Sequence, residues 1–265
     1  MICRSDRQAA REETMNLCIF EDEHAADMHP LTYTRPVFAH RCGVLTLLEK
    51  STHAIPADAV TLIVRQHLED YTKELYPDFQ VNTPPDADTL FLNGRVLPDK
   101  KFTLPDHSAN DRPKLYSRDG EILAAFVPAG HLPELNGGSP DFGSLTDTAE
   151  TESVEWTTVR YPWDLTRLNA QEIRNDIDRL NRSAGIEISN YPGVHVDDPS
   201  GIFLGKAVDI QPGVVMDTSD GPIMLDDDVI VHPNAVIAGP AYVGPHSKIS
   251  AGANITGNCS FGPVC

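Results

Sequence analysis

Apolar residues recur every sixth position along the stretch from Leu204 to Cys265. Leu225, Val231, Ile237, Val243, Ile249, Ile255 and Phe261 keep this beat without a miss. Four places after each stands a small residue in nearly every case: Val229, Ala235, Ala241, Ser247, Ala253, Cys259 and Cys265. The register continues upstream through Leu204, Ile210 and Met216, with Val208 and Val214 four places on. It slips by three residues at Asp217–Pro222 (DTSDGP), which reads as a loop thrown out of the ladder. A period of six cannot be one face of a helix, because 3.6 residues per turn would scatter these positions around the axis. It suits very short strands joined by tight corners, with Gly and Pro at the turns, as at Pro212–Gly213, Gly239–Pro240 and Gly244–Pro245. Each such coil can bury its apolar row only against its neighbours. The pattern stops at Cys265 in mid-beat, as expected of a truncated solenoid or one half of a longer one.

Ahead of the ladder the pattern changes to apolar runs separated by helical segments. Residues 1–14 are polar and lack periodicity, so they are read as a disordered extension, with Met15 the more natural start. A strand follows at once (Leu17-Cys18-Ile19-Phe20), and further strands are predicted at Val60–Val64, Thr89–Leu92 and Ile122–Val127. Val44 to Leu48 reads as a short helix and Gln66–Tyr76 as another, while Gly130–Ser153 reads as a mobile loop. Asn169 and Glu172 form a capping-box pattern, which predicts a helix from about Ala170 to Leu180 with Leu168, Ile173, Ile177 and Leu180 on its apolar face. Strand, loop and helix in alternation predict an α/β domain over 15–182. Residues 183–203 then form a linker leading into the ladder at 204–265.

Charge narrows the partners. With 21 Lys and Arg against 39 Asp and Glu, the net charge is −18. Such a surface repels phosphate backbones and anionic lipid, so nucleic acid and membrane are poor candidates as global partners, and a substrate phosphate needs a local basic pocket. No apolar run approaches the roughly 18 residues needed to span a bilayer. Five cysteines (Cys3, Cys18, Cys42, Cys259, Cys265) show no metal-ligand spacing. Their odd number and the lack of a secretory leader point to reduced thiols in the cytoplasm.

The stretches VGPHSK, ISAGAN and ITGNCS resemble the hexapeptide-repeat family, whose fold is a left-handed parallel β-helix and whose members are usually trimers. An α/β domain before such a ladder resembles the sugar-1-phosphate nucleotidyltransferases. The likeness is residue by residue at Pro30–Pro36 (PLTYTRP), which matches half of that family's phosphate loop. It is nearest to a GlmU-like sugar nucleotidyltransferase branch through Leu31–Phe38, Arg41–Gly43, Leu90–Arg95 and Tyr161–Leu165. The resemblance implies a Rossmann-like α/β nucleotidyltransferase domain followed by the β-helix. It further implies a nucleoside triphosphate and a sugar phosphate as substrates, Mg²⁺ as cofactor, and a homotrimer built through the ladder. This sequence also departs from the pattern. The family's loop glycines fall on Asp22, Glu23 and Ala25, its loop Arg on Asp27, its Lys on Val37, and its metal-binding Asp on Arg95.

Arg35 and Arg41 are the candidate catalytic residues, because guanidinium forks pair with phosphate; the alternative is that they salt-bridge Glu21, Asp22 or Glu23. Arg41-Cys42-Gly43 precedes a helix, where backbone amides favour an anion. Glu21 and Asp22 either hold Mg²⁺ or form a solvated acidic turn. Thr32, Gly43, Asn93, Gly94 and Arg95 complete the nucleotide and sugar-phosphate candidates, with Asn93-Gly94 alternatively a plain turn. Trp163 in YPWDL is read as packing on the family's strand before the linker helix. His195, His232 and His246 are read as surface turn residues, and Cys42 as a buried thiol. Two further functions stay open: a hexapeptide acyltransferase, and a binding scaffold without catalysis.

Overall fold

The computed structural model describes residues 15–105, 112–136 and 138–265. The expected extension at 1–14 lies outside the described residues. Two compact units emerge. The first holds the described residues up to Asp22 with Ser51–Gly94 and Thr103–Glu155; the second holds Glu23–Lys50, Arg95–Phe102 and Trp156–Cys265. This division differs from a cut at residue 182, because the helix before the ladder and the Glu23–Lys50 segment pack with the ladder.

The strands before the ladder are, in order, β1 (Met15–Phe20), β2 (Ala57–Ile63), β3 (Gln80–Val81), β4 (Thr89–Asn93), β5 (Val96–Leu97) and β6 (Lys114–Arg118). They continue with β7 (Glu121–Val127), β8 (Leu135–Asn136), β9 (Ser139–Pro140), β10 (Glu150–Ser153) and β11 (Thr157–Thr158). The helices are α1 (Leu47–Ala54), α2 (Glu69–Leu75) and α3 (Pro162–Arg179).

In the first unit seven strands form one mixed sheet in the order β10-β6-β7-β4-β1-β2-β3. β1 runs parallel to both β2 and β4, while β7 is antiparallel to β4 and β6. The central strands read as unbroken apolar runs because both of their faces are covered: Leu17 to Phe20 and the whole of β4 are buried. One face packs Cys18, Phe20, Ile63, Phe91 and Leu115 against Phe142 and Leu145. Phe142 meets Phe20 and Phe91 edge-on, with ring centres 5.5 and 5.6 Å apart. The segment expected to be a loop from Gly130 to Ser153 thus contributes core residues, a β8–β9 hairpin and the edge strand β10.

In the second unit the ladder is a parallel β-helix with three strand stacks. Its first strands are His195–Val196 and Ile202–Leu204, within and at the end of the stretch read as the linker and entry to the ladder. Ile202 pairs with Ile223, 21 residues on, whereas Ile223 pairs with Ala241 and Ala241 with Cys259, each 18 on. Three six-residue sides make one 18-residue coil, and the three extra residues are the Asp217–Pro222 excursion. Leu225, Val231, Ile237, Val243, Ile249 and Ile255 all point into the core, as the period demands. Corners recur on the same beat at Asp228, Asn234, His246, Gly252 and Asn258, each with a positive φ. Asn, Asp and Gly tolerate that conformation best.

Helix α3 starts eight residues before the predicted Ala170. Its start signal is Pro162 at the first helical position and Asp164 at the third, whose carboxylate accepts the Arg160 and Tyr161 amides at 3.0 and 2.9 Å. YPWDL is therefore a helix start, not a strand, and Asn169 and Glu172 are buried in the helix interior and cap nothing. Ile173 and Ile177 pack with Val44 against Met224 and Tyr242 of the ladder.

Candidate functional site

Parallel strands of an open α/β sheet present their carboxyl ends as a natural ligand site. In the first unit that edge carries Glu21 and Asp22 after β1, Arg65 after β2, and Asn93 and Gly94 at the end of β4. Glu21 is buried, and its own amide donates to the Ile63 carbonyl at 3.1 Å. Its carboxylate accepts the Arg65 Nε at 3.1 Å, Nη2 at 3.2 Å and backbone amide at 3.3 Å. Beside this pair, the Asn93 Nδ2 donates to the Asp22 carboxylate at 2.7 Å. The Gly94 amide donates to the Phe20 carbonyl at 2.8 Å and ties the two strand ends together.

Gly138, directly before β9, presses on the same edge. A Cβ on Gly138, whose φ is +89°, would lie 2.5 Å from the Val64 carbonyl oxygen and 2.9 Å from the Arg65 Cα. Only glycine fits that approach. Arg65 was not among the sequence candidates. Its signal was its place directly after the apolar run Leu62–Val64, where a basic residue caps a strand end.

Glu21, Asp22, Asn93 and Gly94 are thus brought together, while the other candidates belong to the second unit. Thr32 is buried and donates its hydroxyl to the Ala25 carbonyl at 2.7 Å. Arg35 is exposed, and Arg95 is fully buried. Arg41 lies half-buried with its guanidinium carbon 5.4 Å from the centre of the Tyr242 ring.

The amides after Arg41 do not await an external anion. Gly43 donates to the Asn169 Oδ1 at 2.8 Å, and Val44 and Leu45 both donate to the Asp176 Oδ2, at 2.9 and 3.0 Å. Asp176 is the anion of that loop. The first turn of α1 is closed likewise, since Thr46 and Glu49 cap each other's amides at 2.6 and 3.2 Å. Behind the loop, the buried Lys50 Nζ bonds the Glu172 carboxylate at 2.8 Å and both oxygens of Asp176 at 2.5 Å. Arg179 also donates to Asp176.

Trp163 does not pack into a core. It is 64% exposed and stacks on Tyr161 with ring centres 4.7 Å apart. His246 occupies a ladder corner 3.3 Å from Asp228, and His232 lies 3.2 Å from the Gln211 side chain. Among the described residues no group of three or more His, Cys, Asp or Glu could hold a metal ion. No helix among them is long and apolar enough to cross a membrane.

Burial pushes the Cys42 thiol up to about 12, and burial likewise raises that of Cys18. Thiolate, not thiol, is the nucleophile, so the burial of Cys42 argues against a nucleophilic role and fits the buried thiol expected from the sequence. Brief iodoacetamide treatment of the native protein is expected to alkylate Cys259 and Cys265 and to spare Cys18 and Cys42. Mass spectrometry of the labelled peptides checks this, and early modification of Cys42 would contradict it.

A family model described as sugar nucleotidyl transferase matches residues 17–184. A second, for the bacterial transferase hexapeptide (six repeats), matches residues 223–257. Together they give the GlmU-like layout of a nucleotidyltransferase domain followed by hexapeptide repeats. No curated protein matches the chain.

Proposed function

Because the chain belongs to the sugar nucleotidyl transferase family, we propose that it joins a nucleoside triphosphate to a sugar 1-phosphate, yielding a nucleotide sugar and pyrophosphate. The observation that carries this reading is the strand-end edge of the first unit, where Glu21–Arg65 and Asp22–Asn93 form adjacent polar pairs.

In the proposed reaction an oxygen of the sugar phosphate attacks the α-phosphorus. The bond from that phosphorus to the oxygen bridging to the β-phosphate breaks, and pyrophosphate leaves with the electron pair. The nucleophile already carries negative charge, so no general base is required. Positioning and charge neutralisation supply the catalysis. Glu21 fixes the plane of Arg65, so that its fork is oriented before a phosphate arrives. Arg35 is proposed for the triphosphate charge on the family resemblance alone.

Mg²⁺ commonly takes one or two carboxylates and fills its shell with water and phosphate oxygens, so the sparse set at this edge fits it. Asp22 and Asn93 would hold it, and it would screen the phosphate charge. Trimerisation through the ladder is part of the proposal; the in-register neighbours Val215 and Val236 are exposed on its outer side.

The test is pyrophosphate release across a panel of nucleoside triphosphates and sugar 1-phosphates. Asp22→Asn is expected to lower that release by about 100-fold or more, the loss typical of a group aimed at transition-state charge. Wild-type release from Asp22→Asn would remove this edge from the reaction. The hexapeptide match favours a second reading, acyl transfer on the ladder. Turnover of acyl-CoA without pyrophosphate release would select it, and saturable nucleotide binding with neither activity would select the scaffold.

A further inference from the structure

Within the second unit an open cleft of about 260 Å³ lies between helix α3, the Arg41 loop and the ladder. Leu165, Thr166 and Asn169 line it from the helix, Asn258 and Ser260 from the ladder, and Arg41 from the loop. None of the six is acidic, in a chain whose net charge is −18.

The polar wall is rigid. Asn169 donates its Nδ2 to the Asn258 Oδ1 at 3.2 Å, and its Oδ1 accepts the Ser260 hydroxyl at 2.9 Å as well as the Gly43 amide. Asn258 in turn donates to the Thr166 carbonyl at 3.2 Å. These bonds pin the ladder corner to the helix and hold the cleft in shape without a ligand.

Arg41 is held differently. Its guanidinium rests over the Tyr242 ring, and among the described residues no carboxylate pairs with it. The two acids that act on Tyr242 are engaged: Asp226 accepts its hydroxyl at 3.1 Å and pairs with Arg182 at 3.5 Å, and Glu49 accepts the Thr46 amide and hydroxyl at 2.6 and 2.9 Å. An aromatic face orients a guanidinium but leaves the N–H donors at its rim available.

From this the geometry points to a binding site for a small phosphate-class oxyanion, either orthophosphate or the phosphate of a monoester, on Arg41 with the Thr166 hydroxyl at the mouth. The Arg fork matches two phosphate oxygens at once. The volume sets the size limit: clefts for drug-sized ligands run to about 300–1,000 Å³, so this one takes a phosphate group and not a whole nucleotide sugar. The inference does not depend on nucleotidyl transfer in the first unit.

Isothermal titration with orthophosphate at constant ionic strength tests it, using the full chain. One saturable site per chain is expected, weakened at least tenfold in Arg41→Gln and partly restored in Arg41→Lys. Thr166→Glu puts a carboxylate at the mouth from an exposed helix position, and should weaken binding similarly without disturbing the Tyr242 contact. Asp22→Asn should bind orthophosphate as the wild type does, which separates this cleft from the strand-end edge. A parallel titration with glucose 1-phosphate identifies the source: tighter binding than orthophosphate selects a monoester, and equal or weaker binding selects the free ion. Binding that does not saturate, or that survives both Arg41→Gln and Thr166→Glu, overturns the assignment.

Discussion

Replacing Lys50 by Met is expected to lower the stability of the second unit by about 3–5 kcal/mol, the usual cost of removing one member of a buried ion pair. Lys50 has no exposed surface, and its ammonium sits between Glu172 and Asp176, which are buried as well. With Arg179 the cluster holds two cations and two anions. Met keeps the length of the side chain but leaves the cluster with one uncompensated negative charge. Asp176 would still have Arg179 and the Val44 and Leu45 amides. Among the described residues Glu172 would keep only the Asn175 side-chain amide, at 2.6 Å, so it is the stranded group. The double replacement Lys50→Met with Glu172→Gln should therefore recover part of the loss, because it removes the stranded charge too. Both tryptophans, Trp156 and Trp163, lie in this unit, so urea unfolding followed by their fluorescence reads it directly. A loss below about 1 kcal/mol, in the range of a surface pair, would show that Lys50 is not sealed from water.

Gly43→Ala should be nearly as damaging, at about 2–5 kcal/mol. The left-handed conformation at φ +86° costs a residue with a Cβ about 1–2 kcal/mol. The new methyl would also lie 2.6 Å from the Glu172 carbonyl carbon and 2.7 Å from the Asp176 Oδ2. Backbone inside a helix cannot yield as a side-chain tip can, and overpacking of this kind adds about 1–3 kcal/mol. The same urea titration measures the loss. A stable Gly43→Ala protein with weakened nucleotide binding would instead restore the phosphate role expected for Arg41-Cys42-Gly43.

The ladder was the most legible part of the chain, because its signal is internal. Leu225 to Ile255 are buried against copies of the same pattern, and no distant partner needed to be guessed. β1 and β4 were legible for a related reason, as strands covered on both faces become continuous apolar runs. The start of α3 is misplaced in the sequence because Asn169 and Glu172 have capping-box spacing and YPWDL resembles the family's strand before the linker helix. Pro162 and Asp164 carried the contrary signal. Glu172 and Asp176 could not be interpreted from the sequence, since Lys50 stands 122 and 126 positions away. Glycine beside arginine reads the same whether it admits a phosphate or a helix, and only the fold shows that Gly43 admits the helix. At the candidate site, Glu21, Asp22, Asn93 and Gly94 were legible as strand ends, but the pairing of Glu21 with Arg65 depends on which strands are neighbours.

Helix α3 shares its apolar side with Met224, Tyr242 and Phe203, all of them ladder residues. The nucleotidyl transferase match stops at residue 184, before any of these three. Severing the chain there would leave Ile173 and Ile177 facing water where the solenoid had been. The segment that marks kinship therefore ends inside the second unit, with α3 on one side of the boundary and the ladder residues that cover its apolar face on the other.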